Sequence, residues 1–292
     1  MIYILENDKL RVKVSSLGAE LQSIRRIEDD TEYLWQGDTT YWARRASNLF
    51  PVCGRLWENK YTYRGETYAL GSHGFARGKE WSALHQKSNA LTLQLLPDEE
   101  TLAAYPFRFS LEMTYTLNED SLTVTTIVHN QDDKMMPFSV GGHPGFNVPL
   151  ADAGSYEDYK LVFDEPCQPL QFVCDENCFH LGKMTRFPLE EDRVLSLQHS
   201  LFDNDAIFLE NASCGVTLRS DKTDHSVHLS FPDSPYLGIW HTPRTEAPFV
   251  CIEPWVQSPS PAGEVADIEE KAAMIHLEPA NVYRNTYTIT CK

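Results

Sequence analysis

Apolar residues occupy every second position between 107 and 117, and polar or charged residues lie between them. A period of two places one set of side chains on one face of an extended chain and the other set on the opposite face. The cluster Asn118-Glu119-Asp120-Ser121 then supplies turn residues, and the alternation resumes at Leu122. The pattern predicts a long antiparallel hairpin with one buried face and one solvated face.

The same alternation recurs along the rest of the chain. It predicts strands over 10–14, 19–24, 206–209, 216–219, 227–231, 249–252 and 287–291, two strands within 84–96, and a hairpin over 60–70 that turns at 64–66. Helical patterns are confined to 98–104 and 268–273. No composition shift marks a linker, so we expect residues 1–292 to form a single all-β domain with few short helices, a large antiparallel sandwich or barrel.

The charge of the chain restricts its partners. The formal net charge is −17, which disfavours binding to nucleic acid or to an anionic membrane surface. No basic and apolar leader precedes the first predicted strand, and the seven cysteines are scattered and odd in number. These features predict a cytoplasmic protein with reduced thiols and a small-molecule partner. They do not determine the oligomeric state, for which a monomer and a homodimer both stay open.

Cys174, Cys178 and His180 lie close enough in sequence to raise the question of a metal site. A zinc site of this kind needs a second pair of ligands at a characteristic spacing, and none follows. We therefore expect no metal site there.

A histidine and a glutamate are the strongest candidates for chemistry. His143 is bracketed by Gly-Gly and Pro-Gly, which favours a position at the end of a strand, where catalytic loops gather. Glu253 lies in an apolar segment beside Pro254 and Trp255, where burial would raise its pKa towards the range of a general base. The alternative for Glu253 is a structural ion pair, for example with Arg55.

Other polar residues are set in glycine-rich or apolar segments. Arg55 has apolar neighbours, and His73 and Arg77 lie among glycines that would hold them at fixed positions. Asp205 directly precedes an apolar strand, although a turn role would explain it equally well. Tryptophans could form platforms for a sugar ring or belong to the core, and the candidates are Trp35, Trp240 and Trp255.

In combination these segments resemble the aldose 1-epimerase (galactose mutarotase) family, in its shorter, divergent bacterial branch. The resemblance covers nearly the whole chain, and the segments that carry it are FPVCGRL at 50–56, SHGFAR at 72–77, GHPGF at 142–146 and IEPW at 252–255. It implies a galactose mutarotase-like β-sandwich with a sugar cleft and no cofactor. After Trp255 the chain reads VQSPSP, where many relatives have a glycine-containing turn, and this departure concerns the shape of the cleft.

The resemblance also implies roles for individual residues. Glu253 corresponds to the general base and His143 to the general acid, with His73 as a second active-site histidine. Arg55 and Asp205 correspond to residues that bind the sugar. Mutarotation needs one acid and one base, and we expect His143 to be protonated and Glu253 ionised at the start.

Other functions stay open on the sequence alone. Arg77 and the Arg44-Arg45 pair leave room for a hexose 6-phosphate, because an arginine cluster would match a phosphate. A sugar-binding or sensing protein without turnover would keep the same cleft. A glycosidase would need two facing carboxyl groups, and Glu253 alone has a suitable setting.

Overall fold

The computed structural model describes residues 1–292, and strands form most of its regular structure. In chain order the strands are β1 (Ile2–Glu6), β2 (Leu10–Ser15), β3 (Leu21–Arg26), β4 (Ala46–Leu49), β5 (Lys60–Tyr63), β6 (Glu66–Ala69), β7 (Ser82–Gln86), β8 (Ala90–Leu95), β9 (Phe109–Asn118), β10 (Ser121–Asn130), β11 (Met136–Phe138), β12 (Gly141–Asn147), β13 (Tyr159–Phe163), β14 (Leu170–Cys174), β15 (His180–Arg186), β16 (Val194–Ser196), β17 (Ile207–Glu210), β18 (Gly215–Ser220), β19 (Ser226–Ser230), β20 (Tyr236–Trp240), β21 (Phe249–Trp255), β22 (Ile275–Leu277) and β23 (Val282–Cys291).

Helices are few and short. The α-helix α1 covers Glu99–Ala104, and 3-10 helices cover Trp57–Asn59, Ala76–Gly78, Leu150–Asp152, Tyr156–Asp158 and His199–Phe202. None of these helices combines the length and apolar character that a bilayer crossing by a helix requires. The prediction of an all-β chain with few short helices is confirmed.

Two large antiparallel sheets dominate the architecture. One has nine strands in the order β16-β13-β18-β19-β23-β10-β9-β8-β7, and the other has seven in the order β15-β14-β17-β20-β21-β12-β4. Their ladders are antiparallel. One hydrophobic cluster of 63 buried residues draws on both sheets, so apolar faces of the two sheets share a core.

The predicted central hairpin is confirmed. Strands β9 and β10 pair from Asn118↔Ser121 to Phe109↔Asn130, with Glu119 at positive φ in the turn. Their alternate apolar side chains are buried, and most of the threonines between them are partly exposed, whereas Thr126 is buried and its hydroxyl donates to Met113 Sδ at 3.2 Å. Hydroxyl contacts between β10 and β23 then link Thr123 to Thr288 on the outer face. The period of two therefore determines which face of the sheet is buried.

The two short predicted helices have different outcomes. The segment 98–104 forms α1, which begins with a capping box. The Asp98 side chain accepts a hydrogen bond from the Thr101 N–H, and the Thr101 hydroxyl accepts one from the Asp98 N–H. The helix predicted over 268–273 is wrong. There the Ile268 N–H donates to the Thr62 carbonyl of β5, and the chain continues as turns. A tertiary hydrogen bond thus outweighs a weak local helical preference.

The loop 71–78 packs tightly against the segment 50–55. The N–H of Phe75 donates to the Phe50 carbonyl at 3.1 Å, and the His73 N–H donates to the Gly54 carbonyl at 2.7 Å. Gly74 has a φ of +69°, and a Cβ built there would lie 2.1 Å from the Phe50 oxygen. This position therefore excludes any side chain, both by backbone conformation and by close approach.

We expect Gly74→Ala to destabilise the protein by roughly 3 kcal/mol, because it combines a strained positive φ with a backbone clash. Urea unfolding followed by tryptophan fluorescence measures this change. Gly71→Ala is the matched control, since a Cβ at Gly71 meets nothing within 4 Å. Equal stability of the two variants would contradict the close packing of this loop.

Candidate active site

A cleft of about 320 Å³ brings together every residue that the sequence predicted for the site. These residues are Arg55, His73, Arg77, His143, Asp205, Trp240 and Glu253. They come from strands β12, β20 and β21 of the seven-stranded sheet and from loops beside it. Segments far apart in sequence thus meet where the two central strands lie side by side.

The register of β12 and β21 places the histidine opposite the glutamate. The strands pair at Gly141↔Trp255 and at Gly145↔Cys251, so His143 lies across from the residue midway between them, Glu253. Side chains directly opposite on one face of an antiparallel pair are neighbours. The contact between His143 and Glu253 therefore follows from the pairing of β12 with β21.

The expected position of His143 at a strand end is wrong, since it lies inside β12 (Gly141–Asn147). Pairing on the other side continues through it, with His143 opposite Ser47 and Pro144 opposite Ala46 of β4. On the side of β21, no residues between Gly141 and Gly145 pair with the neighbouring strand. Proline has no N–H to donate, so the strand passes through the motif with hydrogen bonds missing on one side.

Glu253 is 2% exposed, and its Oε2 lies 3.4 Å from His143 Nε2. Burial raises the pKa of Glu253 well above its ordinary value, and the charge of Asp205 raises it further, whereas the Trp255 indole acts to lower it. The alternative ion pair with Arg55 is not formed, because Arg55 faces Asp205 instead.

His143 is 8% exposed and is enclosed by aromatic rings. It stacks on Trp42 with ring centroids 4.8 Å apart and meets the edge of Trp240 at 5.7 Å. Burial lowers the pKa of His143 to about 3, and the charges of Arg77 and Arg44 act in the same direction. Its Nδ1 is buried without a hydrogen-bond partner.

These opposite shifts favour one proton on the pair, held by Glu253, with His143 neutral. The expected starting charges were the reverse, an ionised glutamate and a protonated histidine. The cause is desolvation, because two buried charges lose more hydration than a neutral acid and a neutral imidazole do. Burial therefore favours the uncharged form of both groups.

His73 is held in a defined tautomer. The N–H of Gly54 donates to His73 Nδ1 at 3.1 Å, so a neutral ring carries its proton on Nε2. The ring meets the edge of His143 at a centroid distance of 5.4 Å. Burial and then the charge state of His143 lower the pKa of His73 well below its ordinary value. His73 therefore offers an N–H donor.

Asp205, Trp240 and Arg55 form a polar wall. Trp240 Nε1 donates to Asp205 Oδ1 at 2.7 Å, and Arg55 Nη2 lies 3.6 Å from Asp205 Oδ2. Arg55 Nη1 also donates to the carbonyl of Asn177 at 2.8 Å. The wall offers charged donors and acceptors of the kind that bind sugar hydroxyls.

The side chains of the neighbouring residues Arg44 and Arg45 have different partners. Arg44 Nη1 donates at 3.2 Å to the carbonyl of Arg77, a residue that lines the cleft. Arg45 turns away, and its guanidinium contacts Gln22 and the carbonyl of Gln36. The Arg44-Arg45 pair thus contributes one charge beside the cleft.

Sequence reasoning missed Trp42, which stacks on His143 and lines the cleft. Its setting beside Arg44-Arg45 was the available signal. Trp35, a candidate platform, is a core residue whose Nε1 donates to the Trp42 carbonyl at 2.8 Å. Trp35 therefore supports Trp42 from behind, and Trp240 and Trp255 line the cleft.

The segment 174–180 does not form a metal-ligand cluster. The group of ligand atoms that converges within 4.8 Å consists of His143, Cys251 and Glu253. Burial raises the pKa of the Cys251 thiol well above its ordinary value, which favours the protonated thiol.

A larger hollow of about 570 Å³ lies beside β2 and the C-terminus. Its polar lining includes Asp8, Lys9, Arg26, Glu28, Glu119 and Asp120. Its charged residues include the Arg26–Glu28 ion pair, and no buried acid–base pair lines it. Size alone therefore does not identify the site, and the smaller cleft has the suitable chemistry.

Comparisons with known proteins agree with this arrangement. The family model for aldose 1-epimerase matches residues 1–272. Protein LacX (plasmid) of Lactococcus lactis subsp. lactis is 36% identical over 295 aligned residues, which cover 98% of each chain. A galactose mutarotase related enzyme from Lactobacillus acidophilus superposes with a TM-score of 0.95 at 34% identity, covering 100% of this chain and 97% of that one. A galactose mutarotase-like protein from Lactobacillus casei has a TM-score of 0.94 at 35% identity, with 100% of both chains covered. The chain belongs to the aldose 1-epimerase family.

Proposed function

We propose that this protein is a cofactor-independent isomerase that interconverts the α and β anomers of a hexose. The observation that carries the proposal is the buried His143–Glu253 contact of 3.4 Å, which lies in a cleft walled by aromatic rings and hydroxyl-binding groups. The residue types fit mutarotation, because that reaction requires only proton transfer by one acid and one base.

Ring opening would proceed from the ionised form of the pair. Glu253 removes the proton from the O1 hydroxyl, the C1–O5 bond breaks as the C1 carbonyl forms, and His143 delivers a proton to O5. Rotation about C1–C2 then presents the other face of the aldehyde. Closure reverses both proton transfers and gives the other anomer, so each residue acts once as acid and once as base.

The proton count gives the buried neutral pair a role in this cycle. After ring opening Glu253 has gained a proton and His143 has lost one, which is the uncharged state that burial favours. The cleft therefore stabilises the protonation state that accompanies the open-chain aldehyde. Binding of the sugar must transfer the proton from Glu253 to His143 across their 3.4 Å contact before the ring opens.

The remaining groups have supporting roles in this proposal. His73 Nε2–H would donate to a sugar oxygen, because its Nδ1 is occupied by the Gly54 N–H. Arg55 and Asp205 would bind hydroxyls, and the Trp42 and Trp240 rings would contact the apolar face of the sugar.

We expect Glu253→Gln and His143→Ala each to lower kcat by at least about 100-fold, since each removes one of the two proton-transfer groups. The assay follows the optical rotation of freshly dissolved α-D-glucose and α-D-galactose. Glu66→Gln, in the exposed turn-flanking strand β6, is the charge-matched control and should keep full activity. Acceleration that survives both substitutions would contradict the residue assignment.

A measurement of thermal stability distinguishes a variant that has lost activity from one that has lost its folded structure. The pKa of Glu253 is raised in the folded state, so its ionisation costs stability as pH rises above the ordinary glutamate value. Glu253→Gln removes this cost, and we expect its thermal midpoint at neutral pH to equal or exceed that of the wild type.

The pH dependence of kcat/KM should lack a step near 6.5, the ordinary histidine pKa. Because the pKa of His143 is lowered to about 3 and that of Glu253 is raised, the pair keeps one proton between these limits. The rate should fall only on the alkaline side, as that proton is lost. Polarimetry from about pH 5 to about pH 9, corrected for spontaneous mutarotation, measures the profile, and an inflection near 6.5 would refute the one-proton pair.

A further inference from the structure

The buried thiol of Cys251 lies beside the acid–base pair and has no part in the proposed proton transfers. Residues two apart on a strand point to the same side of the sheet, so Cys251 and Glu253 share one face of β21. The residues between and before them, Ile252 and Val250, belong to the main core on the other face. Cys251 belongs instead to a smaller cluster that packs against Trp240 on the cleft side.

His143 completes a group of three potential metal ligands. One ligand atom from each of His143, Cys251 and Glu253 lies within 4.8 Å of the other two. The register of β12 and β21 produces this group, because it places Gly145 opposite Cys251 and His143 opposite Glu253. A Cβ at Gly145 would lie 3.3 Å from Cys251 Sγ, so the glycine leaves space beside the thiol.

The donor atoms and their spacing match those of a zinc site. Proteins bind Zn²⁺ through imidazole nitrogen, thiolate sulfur and carboxylate oxygen in tetrahedral geometry. In that geometry a nitrogen and an oxygen ligand lie roughly 3.4 Å from each other. His143 Nε2 and Glu253 Oε2 are 3.4 Å apart. An ion can therefore contact both atoms while the two strands keep their positions.

The sulfur needs a small movement to join them. A thiolate lies roughly 3.6 Å from the other ligands of a tetrahedral zinc ion, and Cys251 Sγ lies within 4.8 Å of them. A side-chain shift of at most about 1 Å closes the group. Cys251 is a free cysteine, and His143 Nδ1 is buried without a hydrogen-bond partner. No second partner therefore holds the imidazole against the small rotation that ligation requires.

We propose that His143, Cys251 and Glu253 bind a divalent transition-metal ion, with Zn²⁺ as the first candidate, and that this ion inhibits the protein. Three protein ligands leave the fourth tetrahedral position open, and His143 and Glu253 direct that position to the cleft because both line it. The thiol loses its proton on binding, since the ion stabilises the thiolate. The metal site is independent of the proposed mutarotase function, whereas the inhibition rests on it.

Inhibition follows from the identity of the ligands. An ion on His143 and Glu253 occupies both groups that exchange protons with the sugar, so neither can act on O1 or O5 while it is bound. Cys251 does not line the cleft, and its thiol contributes to the metal site alone. Substitution of Cys251 therefore separates metal binding from catalysis.

Calorimetric titration of Zn²⁺ into chelator-treated protein tests the site. We expect Cys251→Ser and Cys251→Ala each to raise the Kd by at least about tenfold, because each removes one of three ligands. Cys214→Ala is the matched control, since Cys214 is an exposed free thiol, and it should bind as the wild type does. Equal Kd values for the wild type and both Cys251 variants would overturn the proposal, because the ion would then lie elsewhere.

Cobalt spectra identify the ligands without relying on a variant. A thiolate bound to Co²⁺ gives a charge-transfer band in the near ultraviolet, and tetrahedral coordination gives intense visible bands. We expect both in the wild type and in Cys214→Ala, and loss of the charge-transfer band in Cys251→Ser. Mg²⁺ prefers oxygen ligands and should not displace the cobalt. Absence of the thiolate band from the wild type would overturn the proposal.

Polarimetry tests the inhibition. Metal-free Cys251→Ala should keep the wild-type kcat/KM and should need at least about tenfold more Zn²⁺ for half inhibition. EDTA should restore the rate of the inhibited wild type. An unchanged rate in a wild type that binds Zn²⁺ through Cys251 would refute the inhibition. If the wild type mutarotates no hexose, the proposed function fails, and calorimetry and the cobalt spectra still decide the metal site.

Discussion

The rest of the cleft depends on the burial of an acid and a base against each other. Strand pairing between β12 and β21 places His143 and Glu253 on one face of a sheet, 3.4 Å apart and almost without solvent. Two charges in such a position would be expensive, and a neutral pair with one proton is not. The aromatic rings that enclose His143 maintain this dry environment. Burial thus favours one proton on the pair, with both groups uncharged.

The fold could be predicted from the sequence to the extent that one periodic pattern determines it. The alternation from 107 to 117 predicts both the hairpin and the face that is buried, because register and side-chain direction are linked in a strand. The helix over 268–273 could not be judged in this way. Its outcome depends on a hydrogen bond to Thr62, some 200 positions away in the chain, which no local pattern contains.

The sequence predicted which residues line the candidate site better than it predicted their position in the strands or their charge state. The glycine and proline neighbours of His143 marked it as a candidate in the sequence. These neighbours lie inside β12, because a proline is tolerated where no residues of β12 pair with β21. Trp42 was missed because its sequence signal, the nearby Arg44-Arg45 pair, does not show which ring the tryptophan stacks on. Residue types suggest an acid and a base, whereas burial, which the sequence does not show, favours the proton on Glu253 and a neutral His143.

The charge distribution links the cleft to the whole molecule. A net charge of −17 repels anions at long range, yet neither Arg44 nor Arg77 forms an ion pair, and both lie close enough to His143 to act on its pKa. At physiological ionic strength the field of distant surface charges is screened beyond about 8 Å, so charged groups near the cleft have more influence on its potential than distant ones. Burial lowers the pKa of His143 most, and the charges of Arg77 and Arg44 add to that effect.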